Sequence, residues 1–75
     1  MAQDEAVGTV LVWNDTEGWG VIRSPDLPSD VWVHSSDVDS VDGRRLNEGD
    51  RVQFRYRSGT RAGYAFRTSW VRRLV

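Results

Sequence analysis

Hydrophobic and polar residues alternate in short runs along this 75-residue chain, and no run shows a convincing helical period. Alternation with a period of two is typical of a β-strand that is buried on one face. The pattern predicts strands at about residues 8–14, 18–23, 30–34, 51–57 and 64–74, with a single helical turn at 35–38. Five short strands in so small a chain indicate a closed or nearly closed barrel. We expect a short acidic N-terminal tail at 1–6 and one domain at 7–75.

The second and third predicted strands carry different kinds of side chain on their two faces. One face has the aliphatic residues Ile22, Val31 and Val33 and is predicted to be core. The other face has three rings, those of Trp19, Trp32 and His34. Unpaired bases stack on flat rings that a sheet holds rigidly, with about 1–3 kcal/mol per base. The hairpin therefore predicts a platform for single-stranded nucleic acid.

Charge is divided unevenly between the two halves of the chain. Residues 1–43 carry a net charge of −8 and residues 44–75 a net charge of +7, and all ten basic residues are arginine. Because the acidic half repels a nucleic-acid backbone, we expect phosphate contacts from the basic half. The candidates are Arg55 and Arg57, on the outer face of the fourth predicted strand, and Arg61 in the loop that follows. A bound strand is predicted to run from Trp19 and Trp32 toward these arginines.

Composition argues against several other functional classes. The chain has no cysteine and one histidine, so we expect no metal site and no cofactor. Ser35, Ser36 and Asp37 adjoin His34, but neighbouring residues in a strand point to alternate faces, and a catalytic triad is assembled from separate elements. We therefore expect neither an enzyme nor a small-molecule substrate. No long apolar run indicates a membrane span, and the lack of cysteine fits a cytoplasmic protein.

The order and spacing of several motifs resemble the bacterial cold-shock domain, a five-stranded antiparallel β-barrel of the oligonucleotide-binding (OB) type. The matching stretches are residues 8–10, 13–14, 18–22, 30–34 and 43–54. The resemblance implies binding of single-stranded RNA or DNA, with an RNA-chaperone or expression-regulating role. It also implies stacking roles for Trp19 and Trp32, and a ring or hydrogen-bonding role for His34. Trp13 stands in for an aromatic residue of the first strand.

The chain departs from this family at several positions. Residues 11–13 are Leu-Val-Trp where the family usually has a lysine and an aromatic pair, and Glu17 replaces a basic residue. Val21 and Ser35 replace two further aromatic residues. These losses favour a second hypothesis, in which the barrel is a protein-interaction module that docks an acidic or basic partner and has weakened or lost nucleic-acid binding.

The pattern leaves the direction of two tryptophans open. Trp13 could face either side, because a bulge in the first strand would exchange the faces of its neighbours. In the last strand Phe66, Thr68 and Trp70 compete with Val71 for the interior, and Trp70 is expected to be a core or lid residue rather than a ligand contact.

Overall fold

The computed structural model describes residues 4–39, 46–61 and 63–74. Within these ranges the strands are β1 (Asp4–Asn14), β2 (Trp19–Arg23), β3 (Val31–His34), β4 (Val38–Asp39), β5 (Arg51–Arg61) and β6 (Tyr64–Arg73), with a 3-10 turn at Ser35–Asp37. The five predicted strands and the predicted turn are confirmed, whereas the two-residue strand β4 was not predicted. No helix in the described part of the chain is long and apolar enough to cross a membrane.

The strands form one sheet in the order β3-β2-β1-β5-β6-β4, and β3 also pairs with β6. This extra pairing closes the sheet, so the predicted all-β barrel of the OB type is confirmed. The main strands pair in antiparallel fashion except where β6 runs parallel to β3 and to the short β4. β1 has two neighbours, because its first half pairs with β5 and its second half with β2.

Two strands are longer than the alternation predicts. β1 begins at Asp4 rather than near residue 8, because residues 4–9 pair with β5. Residues 4–6 of the predicted tail therefore belong to the sheet, and Ala6 is a buried core residue. β5 continues to Arg61 rather than ending near residue 57, and its register with β6 shifts between Ser58 and Arg61.

Aliphatic side chains from all five main strands fill the barrel, together with Phe54. The predicted aliphatic face of the β2–β3 hairpin is confirmed, because Ile22, Val31 and Val33 are fully buried. The core cluster is Ala6, Val10, Ile22, Val31, Val33, Val38, Leu46, Val52, Phe54 and Val71. Thr68 is also buried, and its hydroxyl donates to Oδ2 of Asp37 at 3.2 Å, which ties the 3-10 turn to β6.

A bulge in β1 decides the direction of Trp13. The register between β1 and β2 shifts between Val10 and Val12, so one extra residue, Leu11, lies between them. Val10 is a core residue, and Trp13 packs against the same core from its pairing position opposite Gly20. Val12 faces outward and is 41% exposed.

A second bulge sets the register of β6. Arg55 pairs with Trp70 and Tyr56 pairs with Thr68, so Ser69 is the extra residue. The bulge allows Thr68 and Val71 both to be buried although they are three positions apart. Trp70 consequently lies on the outer face, and the expectation of a core or lid position is wrong.

Candidate nucleic-acid interface

The rings of the β2–β3 hairpin lie side by side on the outside of the barrel. Trp19 pairs with His34, and Val21 pairs with Trp32. Residues that pair directly across antiparallel strands share a face of the sheet. The ring centroids of Trp32 and His34 are 5.8 Å apart, with 39° between the ring planes. The predicted common face is confirmed, and we call Trp19, Trp32 and His34 the ring platform.

The turn between β1 and β2 holds the edge of Trp19. The indole Nε1 donates to Oε1 of Glu17 at 2.8 Å, and the backbone N–H of Glu17 donates to Oδ1 of Asn14 at 3.0 Å. Gly18 has a φ of 76°, and a Cβ at this position would lie 2.8 Å from Oγ of Ser35, so the turn requires glycine. Glu17 therefore orients the indole while it adds negative charge beside the platform.

The imidazole of His34 is fixed by the 3-10 turn that follows β3. The backbone N–H of Ser36 donates to Nδ1 of His34 at 3.1 Å, and Oγ of Ser36 lies 2.8 Å from the same nitrogen. Because Nδ1 accepts a hydrogen bond, the neutral ring carries its proton on Nε2. His34 thus supplies a ring face and one N–H donor. No group of three His, Asp or Glu side chains within residues 4–39, 46–61 and 63–74 is placed to hold a metal ion.

Trp32 faces outward but is only 9% exposed, which is less than the alternation predicts. Barrel closure is the reason, because β3 has β2 along one edge and β6 along the other. Trp32 therefore lies between its two pairing partners, Val21 and Arg67. Trp19 and His34, which are both half-buried, offer the more open ring surfaces.

Trp13 lies at one end of the barrel rather than in the ring platform. Its indole crosses Gly20 so closely that a Cβ on that glycine would be 2.5 Å from Cε3 of the ring. The indole Nε1 donates to Oδ1 of Asp15 at 3.0 Å. The ring also borders a cavity of 300 Å³, whose walls within the described residues also include Asp15, Leu46, Asn47 and Glu48. The binding role predicted for Trp13 stays a prediction.

Arg55 is directed toward another group of side chains. Its Nε lies 2.9 Å from Oε2 of Glu5, and its guanidinium carbon lies 5.2 Å from the ring centroid of Trp70. Two hydrogen bonds hold the pKa of Glu5 below its ordinary value. The bond from Arg55 has the larger effect and the bond from Gln53 the smaller one. Arg55 is therefore engaged with a carboxylate and an indole outside the ring platform.

Arg57 is exposed and stands in a row of side chains that begins at the platform. Its pairing partner on β6 is Arg67, and the partner of Arg67 on β3 is Trp32. The row continues through Val21 to Val12, so it crosses five strands of the outer surface. The backbone of Arg61 pairs with Tyr64 at the end of β5. The predicted contact of the Arg61 side chain lies outside what the structure describes.

Trp70 is the centre of a separate outer cluster. Its Nε1 donates to Oδ2 of Asp39 at 3.3 Å. The guanidinium carbon of Arg72 lies 5.8 Å from its ring centroid, in addition to that of Arg55. Two guanidinium groups therefore flank this indole, an arrangement that is favourable because cations are attracted to the ring face.

Residues 6–68 match the family described as the "'Cold-shock' DNA-binding domain". The chain is 41% identical to the major cold shock protein of Micrococcus luteus over 54 residues, which are 72% of this chain and 81% of that protein. It is 39% identical to cold shock protein CspA of Rhizobium meliloti over 56 residues, or 75% and 81% of the two chains. It is 35% identical to cold shock-like protein CspE of Escherichia coli K12 over 54 residues, or 72% and 78%. The chain belongs to the cold-shock domain family. This membership supports nucleic-acid binding in general.

The positions at which this cold-shock domain departs from the family pattern cluster around the ring platform. Val12 and Val21, which replace aromatic residues, pair with each other in the row that includes Trp32. Ser35, a third replacement, follows His34 directly, and its backbone N–H donates to the carbonyl of Gly18 at 2.8 Å. The resemblance therefore implies fewer rings on this platform than the family pattern has.

Arg67 is the residue of this surface that the sequence did not predict. The pattern left the register of β6 open, so nothing local indicated which side of the sheet Arg67 faces. Its place beside Trp32 depends on the parallel pairing of β3 with β6, which joins residues 35 positions apart in the chain. A signal was present only in the excess of arginine in the second half of the sequence.

Proposed function

We propose that this cold-shock domain binds single-stranded RNA or DNA by stacking unpaired bases on the ring platform. The observation that carries the proposal is the register of β2 with β3, which places Trp19 opposite His34 and sets Trp32 beside it on one outer face. Trp19 and His34 offer partly open rings with fixed edges. A base can stack on such a surface without a large loss of side-chain entropy, because the rings are already held.

Such binding would act on structured RNA without any chemical step. Stacking of an unpaired base on a ring competes with base pairing, so a bound protein stabilises the open form of a hairpin. This is the physical basis for a role as an RNA chaperone or regulator of gene expression. The cytoplasm, which the lack of cysteine favours, is the compartment in which we expect this role.

The test is a titration of the protein with a short oligothymidine at low salt, in which tryptophan fluorescence reports binding. We expect quenching by the wild-type protein, since Trp19 would lie against a base. Trp19→Ala should weaken binding about 5- to 150-fold, the equivalent of the roughly 1–3 kcal/mol that one stacked base contributes.

Trp70→Ala is the matched control for this titration. It also removes one half-buried indole from the outer surface, but Trp70 belongs to the separate cluster with Arg55 and Arg72. We expect its affinity to equal that of the wild type. If the wild-type protein shows no quenching at about 50 µM at low salt, or if both variants lose affinity equally, stacking on the platform is not the mode of binding.

The protein-interaction hypothesis is favoured by one feature of the outer surface. A groove of 640 Å³ between β1 and the loop before β3 has Leu11, Pro25, Leu27 and Pro28 among its walls. Leu11 stands where the family pattern usually has a lysine, so this groove has an apolar side chain at a position where that pattern has a charge. Absence of quenching in the oligothymidine titration would make this groove the leading candidate site.

A further inference from the structure

Two arginines face each other across the β5–β6 pairing, with no acidic partner in the part of the chain that the structure describes. Arg57 and Arg67 are direct pairing partners, so their side chains share the outer face. Like charges in this position repel each other and destabilise the pairing. Within residues 4–39, 46–61 and 63–74, arginine side chains form ion pairs in Arg23–Asp30, Arg55–Glu5 and Arg73–Asp50. None of them neutralises the facing pair.

The side chain of Arg67 lies against the barrel, and its Nε is buried and lacks a hydrogen-bond acceptor within the described residues. Its Cδ would be 3.8 Å from a Cβ at Gly59, so the aliphatic stem lies near this glycine of β5. Burial of an unpaired N–H of a charged group is costly, and an anion that accepts hydrogen bonds from the terminal nitrogens of the guanidinium would stabilise the charge of this side chain.

The facing pair is continuous with the ring platform. Arg67 is the pairing partner of Trp32 on the edge of β3 opposite to Val21. The Arg67 position therefore lies one strand spacing, about 4.8 Å, from Trp32, at the edge of the ring platform. A guanidinium presents its donors as a planar fork that matches two oxygens of a phosphate.

We propose that Arg67, together with Arg57, binds a phosphate of the single strand whose bases stack on the ring platform. The anion lies between two cations that otherwise repel each other, and it provides acceptors for the donors of Arg67. Arg67 thus becomes the first contact of the strand on its way from the rings to the arginines of β5. This inference rests on the proposed function and adds a phosphate-binding position to it.

The experiment compares Arg67→Gln with Arg72→Gln in oligothymidine titrations between about 50 and 200 mM salt. Arg72 is the matched control, because it is an exposed arginine on the same strand that contacts Gln53 and Trp70 instead. Arg67→Gln should lower the affinity about fivefold at low salt and reduce the log–log salt slope by about 0.7, the loss of one phosphate contact. Arg72→Gln should leave the slope unchanged. Arg67→Lys should keep the slope, since it keeps the charge.

A second arm separates the phosphate contact from stacking. An abasic deoxyribose-phosphate oligomer has the backbone without the bases, so its binding, measured by displacement of a labelled oligothymidine, should respond to Arg67→Gln and not to Trp19→Ala. If the wild type binds oligothymidine and Arg67→Gln behaves like Arg72→Gln, the Arg67 inference is wrong while the proposed function stands. If the wild type binds neither oligomer, both fail. Equal urea midpoints of the variants confirm that all of them are folded.

Discussion

Single glycines determine how closely the rings approach the backbone. A Cβ at Gly20 would lie 2.5 Å from Cε3 of Trp13 and 2.5 Å from the carbonyl oxygen of Val12. Both distances are far below van der Waals contact, and one of the two partners is backbone. Gly20 therefore permits the indole of Trp13 to cover β2. Because the indole has this room, the end of β1 can direct Trp13 inward.

We expect Gly20→Ala to destabilise the protein by about 1–3 kcal/mol, because the added methyl group forces Trp13 and the backbone of β1 apart. Urea unfolding monitored by circular dichroism measures this. Gly59→Ala is the control: its Cβ would have one neighbour, Cδ of Arg67, at an ordinary 3.8 Å. That variant should change stability by less than about 0.5 kcal/mol. Equal stability of the two variants would show that the contact at Gly20 relaxes at no cost.

At the scale of elements, the two halves of β1 serve different purposes. The first half binds β5 through a network on the outer face, in which Oε1 of Glu5 accepts from Gln53 at 3.0 Å and Oε2 accepts from Arg55 at 2.9 Å. The second half, beyond the bulge, leads into the turn that supports Trp19. The stability of the β1–β5 pairing is therefore separable from the geometry of the ring platform.

The Glu5 network predicts a pH dependence of stability. Its hydrogen bonds, first that from Arg55, lower the pKa of Glu5 in the folded state. A carboxyl whose pKa is lowered by folding stabilises the protein fully above its unfolded pKa, and the contribution is lost as the pH falls through the folded pKa. The wild type should therefore be more stable than Glu5→Gln near neutral pH, and the difference should shrink below about pH 4.

Urea unfolding of both proteins at about pH 7 and pH 3 measures this difference. Arg55→Gln supplies the control background, because it removes the main cause of the lowered pKa. In that background, Glu5→Gln should have a smaller effect at neutral pH. A pH-dependent difference of the same size in both backgrounds would exclude the ion pair as its origin.

At the scale of the whole molecule, acidic and basic side chains occupy different regions around the platform. Glu17 and Asp15 each accept a hydrogen bond from an indole in the β1–β2 region, whereas Arg57 and Arg67 lie on the β5–β6 side of Trp32. The field across the platform therefore attracts a phosphate backbone on one side and repels it on the other. We expect this asymmetry to set the direction of a bound strand.

Glu17→Gln tests the effect of this field. The amide oxygen can still accept from Nε1 of Trp19, so the indole stays in place while one negative charge is removed. We expect oligothymidine affinity to rise about twofold at low salt, and the gain to disappear near 1 M salt as charges are screened. Asp26→Asn makes the same charge change in the loop before β3, beside Glu5 and Gln53. It should leave affinity nearly unchanged. An equal gain in both variants would point to net charge rather than to position.

Much of this protein follows from local alternation in its sequence. The aliphatic face of the hairpin, the common face of Trp19, Trp32 and His34, and the outward arginines of β5 were all predicted. Local alternation is sufficient here because successive side chains of a strand point to opposite faces whatever the strand pairs with. The motif spacing added the barrel fold and the family.

Other features depend on pairings between distant parts of the chain. The inward turn of Trp13, the outward position of Trp70, the limited exposure of Trp32 and the place of Arg67 beside it were not predicted. Each is decided by a bulge or by the closure of β3 on β6. A bulge shifts alternation by one residue, and closure brings together strands whose side chains have no local relationship. Local alternation therefore specifies which residues form the two faces of each regular strand. Which of those faces meet depends on long-range strand pairing, because packing around a closed barrel selects the register.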